Sequence, residues 1–307
     1  MEAASVQAGT PVGRRSRGTS ERRLAAYMVS PSLLLIALVA AYPICYAIWL
    51  SLHEYSVRVA GLSRWAGTFG LRNYSNILQD PEFWAAVKTT FIFTAFSVTF
   101  ETLLGMAMAL AMHSAFRGQG LLRTVVLVPW AVLTVVTAMM WRTIFDPTLG
   151  VVNTILGTDT VWLGQSPQAL IVMIVADVWK TAPFMALLLL AGLQVIPGEI
   201  YEAAKVDGAT TWQRFRKITL PLLMPALLVA LIFRTLDALR IFDLPFVLTK
   251  GAHGTTTLSL ISYETFQTNR ILGLGSALAV LTFVIVMIVS FVYIRFVGGN
   301  IRGLAEE

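Results

Sequence analysis

Arg234, Asp237, Arg240 and Asp243 recur at steps of three inside one of the most apolar stretches of the chain, FRTLDALRIFDLPFVLTKG. Residues three apart on a helix are surface neighbours, so Arg234 can pair with Asp237, and Asp237 with Arg240. Charges in such surroundings are costly, and they face a cavity or a partner charge. Two chemistries fit. The ions can simply neutralise one another. Alternatively, the guanidinium donors and carboxylate acceptors can hold the hydroxyls of an uncharged solute passing along the helix. Glu101, Asp177 and Lys180 are further charges in apolar segments, and Asp177 and Lys180 are spaced to pair. Buried acids can also relay protons.

No catalytic set is present. The chain has no GxxxxGK[ST] phosphate loop, no HExxH and no GxSxG. His53, His113 and His253 fall in separate loops or span ends, whereas a metal site needs converging ligands. The single cysteine, Cys45, excludes an internal disulfide and a cysteine-based metal cluster, and its apolar neighbours suggest a packing role. We therefore expect no catalytic residue, no metal and no cofactor in this chain.

The elements that position the charges are membrane spans. Hydrophobic residues make up 56% of the 307 positions and charged residues 13%, with mean hydropathy +0.72. Soluble domains carry about 25% charged residues, so the composition is that of an integral membrane protein. The net charge of +6 then reads as basic cytoplasmic loops rather than a nucleic-acid surface. A span needs about 20 apolar residues. Six stretches qualify, at 27–52, 87–112, 122–145, 170–193, 220–248 and 271–297. The expected fold is all-α and polytopic, with both termini cytoplasmic. In that orientation most Lys and Arg lie inside, and the outer segments keep only Arg58, Arg64, Arg72, Lys88, Lys250 and Arg270. Residues 1–22 read as a disordered basic tail, 23–300 as the membrane domain and 301–307 as a short tail. Asp80-Pro81-Glu82 has the pattern of a helix start, which predicts a short helix on the outer surface. Gly105, Gly273 and Gly275 read as sites of close helix packing. Gly254-Thr255-Thr256-Thr257 reads equally as a solvated turn or as a contact for an external protein.

One polar stretch interrupts the spans: YEAAKVDGATTWQRFRKITLP, residues 201–221, within an inner element at 197–219. Its residues predict a helix over 200–206, with Glu202 at the start and small Ala203 and Ala204 behind it. Gly208 ends that helix. A second helix from Thr211 places Trp212, Phe215 and Ile218 on one face, with Arg214, Arg216 and Lys217 between them. The product is a helix–turn–helix with a small tip that can enter a cleft on a partner. An interfacial helix anchoring the loop to lipid is the alternative.

The stretch resembles the EAA motif of permease subunits of type I ABC importers: E-A-A, three residues, G, nine residues, I, one residue, L-P. Glu202-Ala203-Ala204, Gly208, Ile218 and Leu220-Pro221 match every spacing. The likeness extends over nearly the whole chain past the tail. It is to the carbohydrate-importer subfamily that includes the first permeases of maltose and glycerol-phosphate importers. Tyr42-Pro43, GLRNYSNIL, Pro129, WRTIFDPTLG, DVWKTAPF and the span-five segment carry it.

The resemblance implies that Glu202, Ala203, Ala204, Asp207 and Gly208 form a coupling element docking on an ATP-binding subunit. It implies a substrate path near Arg234, Asp237, Arg240, Ile241 and Phe242. The maltose-importer member of the family uses small polar and amide side chains there, so this chain's set implies a sugar different from that member's. Implied partners are a second, related permease, two ATP-binding subunits that hold ATP and Mg, and an extracytoplasmic sugar-binding protein. The implied location is the bacterial plasma membrane. Within the subfamily the chain is most similar to mycobacterial trehalose-importer permeases, and trehalose as the sugar rests on that likeness alone. From the residues alone, a self-sufficient ion-coupled transporter using Glu101, Asp177 and Asp237 is the competing class.

Overall fold

The computed structural model describes residues 17–59, 62–114 and 118–305. Most of the expected tail, Arg117 and the last two residues lie outside them. The chain falls into two units, Met1–Trp49 and Leu50–Glu307.

In the first unit, helix α1 (Arg17–Ile36) begins inside the stretch expected to be disordered. Pro31 cannot donate to the carbonyl of Tyr27, and the Ser30 hydroxyl bonds that oxygen instead at 3.1 Å. A single π turn, Ala37–Ala41, leads into α2 (Tyr42–Ser51) just ahead of Pro43. Arg23–Ser51 is long and apolar enough to span a membrane. Cys45 is exposed rather than packed.

The second unit opens with an element the sequence did not announce. Strands β1 (His53–Val59) and β2 (Leu62–Phe69) pair antiparallel, with Tyr55 opposite Trp65 and Ser56 opposite Arg64. Helix α3 (Arg72–Gln79) is the short outer helix, and its buried Asn73 donates to the carbonyls of Ser51 and His53 at 2.9 and 3.0 Å. The Asp80-Pro81 start therefore belongs not to a short helix but to the long span α4 (Pro81–His113), which begins earlier than expected. Asp80 caps it by accepting from the Glu82 N–H at 2.9 Å.

The third span is broken. Helices α5 (Gln119–Ala131) and α6 (Thr134–Ile144) meet at 90° where Val132 and Leu133 leave helical geometry, three residues after Pro129. Short α7 (Val151–Leu156) precedes α8 (Gln168–Gln194), the most enclosed of the spans. Next come α9 (Gly198–Val206), α10 (Thr211–Arg214), a π turn at Phe215–Thr219 and α11 (Leu220–Ala238). This π turn too lies just ahead of a proline, Pro221, which lacks the N–H a regular turn would use.

The expected span 220–248 does not run through. It stops at Ala238 and resumes as α12 (Asp243–Leu248). A helix through Pro245 would drive its ring into the carbonyl of Ile241. That carbonyl instead accepts from the Thr257 hydroxyl at 3.0 Å. Helix α13 (Leu258–Tyr263), a π turn at Glu264–Thr268 and α14 (Leu272–Ala305) complete the chain. α14 covers most of the residues expected as a C-terminal tail.

Among the described residues, five helices are long and apolar enough to cross a membrane, or six counting the bent pair as one span. The fold is all-α apart from the hairpin, and the protein is a multi-pass membrane protein. Apolar clusters hold α4, α8 and α11 together through Met112, Met185, Leu189, Leu193 and Leu223. A second cluster joins α4, α6, α8 and α12 through Phe93, Ala138, Met173 and Leu244.

Glycines set the closest approaches. A Cβ on Gly105 would sit 2.7 Å from Met185 Cγ, and one on Gly273 would sit 2.1 Å from the His53 carbonyl oxygen. One on Gly275 would lie 2.8 Å from the backbone of Phe266. Each glycine therefore permits an approach that any side chain would block.

Candidate coupling element and translocation path

The polar stretch folds as the helix–turn–helix its residues predict. α9 begins at Gly198, two residues earlier than expected, so Glu199 rather than Glu202 occupies the first turn. Glu202, Ala203 and Ala204 lie in the middle of α9, Asp207 follows its end, and Gly208 turns the chain with φ +75. A left-handed residue at this position closes a helix, and glycine takes it without steric cost. Thr210 then opens α10 through a reciprocal capping box with Gln213.

Val206 is 88% exposed and Trp212 66% exposed, so two large apolar side chains flank the small tip. Trp212 stacks on Phe215 with ring centroids 5.5 Å apart. Tyr201 Oη and Thr219 Oγ1 lie 3.0 Å apart and tie α9 to the helix running on into α11. The tip is therefore linked to α11 both along the chain and through this side-chain bond.

α11 carries a buried charge cluster. Arg234 is 2% exposed, and its guanidinium meets Glu101 on α4, Asp177 on α8 and Asp237 on its own helix. Glu101 receives two of these bonds, and Thr181 donates to the same carboxylate. The Arg234–Asp237 pair forms at 2.8 Å, as the spacing predicts. Two other expected pairs do not form. Asp177 is engaged by Arg234 rather than Lys180, and Asp237 by Arg234 rather than Arg240. The second difference follows from the end of α11 at Ala238, which removes Arg240 from helical register. Glu101 and Arg234 are the pairing that spacing could not disclose, because 133 residues separate them.

The candidate path residues divide into two groups. Arg234 is buried inside the bundle, whereas Asp237 and Arg240 are exposed, with Ile241 and Phe242 partly buried beside them. Arg240, Ile241 and Phe242 lie in the break between α11 and α12. Phe242 and Phe246 stack at 5.3 Å, and both contact Tyr263. A charged face on a span is turned toward water or a partner rather than lipid. Near the outer end, Thr255 and Thr257 are buried, and Thr257 caps α13. Gly254 is exposed and Thr256 half-buried, so the segment is only partly a solvated turn. No group of His, Cys, Asp and Glu that could hold a metal occurs among the described residues.

Residues 101–300 match the family described as "binding-protein-dependent transport system inner membrane component". The chain belongs to that family. This permease is 43% identical over 284 residues to the trehalose transport system permease protein SugA of Mycobacterium tuberculosis, covering 92% of each chain. It is also 43% identical over 281 residues to the trehalose/maltose transport system permease protein MalF of Thermococcus litoralis, covering 90% of this chain and 94% of that one. Among solved structures, the permease shares its fold with a chain of a bacterial ABC transporter that imports the polysaccharide alginate. The TM-score is 0.78 at 22% identity, over 91% of this permease and 96% of that chain. The chain is the permease subunit of an ABC importer, and membership of a binding-protein-dependent family favours this over a self-sufficient ion-coupled carrier.

Proposed function

We propose that this permease forms half of the translocation path of an ATP-driven importer for a disaccharide of the trehalose type. It pairs with a second, related permease, and two ATP-binding subunits bind ATP and Mg beneath them. An extracytoplasmic binding protein delivers the sugar. Both chain termini lie in the cytoplasm.

One observation carries this reading: the small, left-handed tip at Gly208, flanked by exposed Val206 and Trp212, continues without interruption into the helix that bears Arg234 and Asp237. An anchor in lipid needs no such small tip. A plug for a cleft on an ATP-binding subunit does. Glu202, Ala203, Ala204, Asp207 and Gly208 form the inserted element. Nucleotide-driven movement of the tip displaces α11 and opens the path to one side of the membrane and then to the other. Asp237 and Arg240 offer acceptor and donor to sugar hydroxyls, beside Ile241, Phe242 and the buried Arg234. The names of the 43%-identical relatives support a trehalose-type sugar.

The test is reconstitution. The permease is co-expressed with its neighbouring transporter genes, purified in mild detergent and placed in liposomes. An ATPase and a second permease should co-purify, and labelled trehalose should accumulate only with ATP and the binding protein. Trehalose uptake by this chain alone would overturn the proposal.

A further inference from the structure

At the end of α8 remote from the coupling tip, a cavity of about 390 Å³ opens between the end of α6, the turn after it and the loop after α12. Leu163 and Leu248 supply apolar wall, Arg142, Asp146 and Lys250 supply charge, and His253 adds an imidazole. One oxygen of the acid is already committed. Asp146 Oδ1 accepts from the N–H and hydroxyl of Thr148 at 2.9 and 2.8 Å and from the N–H of Leu149 at 2.9 Å. These bonds, the Leu149 N–H foremost, hold its carboxyl below the usual range and keep it charged within its own turn. Arg142, Lys250 and His253 are all exposed, and among the described residues none of them forms a salt bridge, although the charge of Arg142 also acts on Asp146.

The loop presenting Lys250 and His253 is held in an uncommon shape. Lys250 and His253 have φ of 53 and 57, and Gly251 and Gly254 beside them also have positive φ. Side chains other than glycine rarely adopt this conformation, and it persists only where the surroundings impose it. Here hydroxyls impose it. Thr256 donates to the Gly251 carbonyl and Thr255 to the Ala252 carbonyl, each at 2.7 Å. Thr249 donates to the Pro245 carbonyl at 3.2 Å, and Thr89 on α4 reaches the Gly254 carbonyl at 3.3 Å. A Cβ on Gly254 would lie 3.0 Å from Ser166 Oγ, so the loop is also fixed against the segment preceding α8. The result is a rigid mount that points basic side chains into a cavity whose one carboxylate has an oxygen engaged by its own turn.

We propose that this cavity receives a carboxylate side chain of the extracytoplasmic binding protein and so seats that protein on this subunit. The inference rests on the importer reading above. A neutral sugar wants donors and acceptors in balance, whereas this cavity offers cationic donors in excess, which suits an anion. Charges at the rim of an interface act mainly on the rate and orientation of docking, and their effect falls with salt.

The experiment uses the complete transporter in liposomes, titrated with sugar-loaded binding protein while ATP hydrolysis is followed. The variant is Arg142→Gln with Lys250→Asn, asparagine being tolerant of the left-handed conformation. We expect the half-saturating concentration of binding protein to rise about tenfold, the maximal rate to hold and most of the salt dependence to vanish. Lys250→Arg should behave as the native protein. Lys250→Glu should be rescued by a Glu→Lys or Asp→Lys change on the contacting face of the binding protein. If the variant is mis-assembled, its maximal rate falls; Lys250→Asn alone then supplies the titration. An unchanged half-saturating concentration with unchanged salt dependence would overturn the proposal. So would a shift confined to the sugar concentration required. A native transporter that ignores the binding protein would overturn the importer reading itself, which separates the two failures.

Discussion

Arg234 on α11 grips Glu101 on α4 with two guanidinium nitrogens, Nε on Oε2 and Nη2 on Oε1, the latter at 2.9 Å. Asp177 on α8 and Asp237 share the same guanidinium, so a single cation ties three spans together. Two of the three carboxylates are buried, and Asp237 alone has a largely exposed side chain. The cluster thus has a structural interior and one arm that reaches the surface of the bundle.

Removing the cation should be far worse than removing the whole cluster. Arg234→Met leaves Glu101 and Asp177 facing each other without compensation and should cost about 3–5 kcal/mol. The triple change Arg234→Met, Glu101→Gln, Asp177→Asn should recover most of that. Thermal unfolding of the purified complex, followed by loss of monodisperse protein, reads both. Equal losses in the single and triple variants would mean the cluster does not act as a charge-balanced unit.

Asp237 should behave differently from the acids behind it. Because its side chain is 75% exposed, Asp237→Ala should leave assembly and basal ATP hydrolysis near native. Uptake should fall about tenfold if one charge-assisted hydrogen bond to sugar is lost. Asp237→Asn should restore part of it by keeping hydrogen-bonding capacity. Unchanged uptake kinetics in Asp237→Ala would remove it from the path.

The coupling element gives a third test. Gly208→Trp places a bulky side chain at a residue with φ +75 and at the tip meant for a cleft. We expect a protein that reaches the membrane but shows no ATP hydrolysis stimulated by the sugar-loaded binding protein. Tyr201→Phe, which removes only the bond to Thr219, should reduce stimulation while the tip still docks. Full stimulation in both would favour the lipid-anchor role.

Glu264 provides a pH test outside the spans. Burial, and then the charge of Glu82, raise its carboxyl above the usual value of 4.5. A raised acid favours the folded state below the unfolded value, and that contribution is lost as pH rises through the folded one. Glu264→Gln should therefore be more stable than the native protein at pH 7, with the difference vanishing below about pH 4. Thermal unfolding at several pH values decides it, and a difference that does not shrink on acidification would contradict the cause given.

What the sequence disclosed follows the range of the interactions. Asp80-Pro81 is a cap within a few residues and is legible as written, whereas the equally local Thr210–Gln213 box was passed over. The coupling turn at Gly208 is legible for the same reason. Gly105 and Gly273 could be assigned to close packing, but Met185 and the His53 carbonyl could not be named as what they admit. The hairpin was missed although Tyr55, Val57 and Val59 alternate with polar residues in β1; β2 lacks that alternation, and the pair is held partly by Asn73 and by Gly273 from elsewhere in the chain. The break after Ala238 had a local signal in Pro245, which a hydropathy count overlooks because its neighbours remain apolar. Lys180 and Arg240 were assigned partners by spacing, and Arg234 outcompeted both from inside the bundle.

From Trp212 to Arg234 the chain is helical throughout, crossing one π turn and no loop. At 1.5 Å per residue that is a helical path of about 33 Å, with Trp212 at one end and the guanidinium at the other. Tilting such a rod by about 5° about its lower end carries the guanidinium sideways by about 3 Å, more than a hydrogen bond can follow. On the coupling role proposed above, the rod is geared to a catch: a small angular stroke at the tip would suffice to unfasten Arg234 from Glu101 and Asp177, and the return stroke would re-engage it.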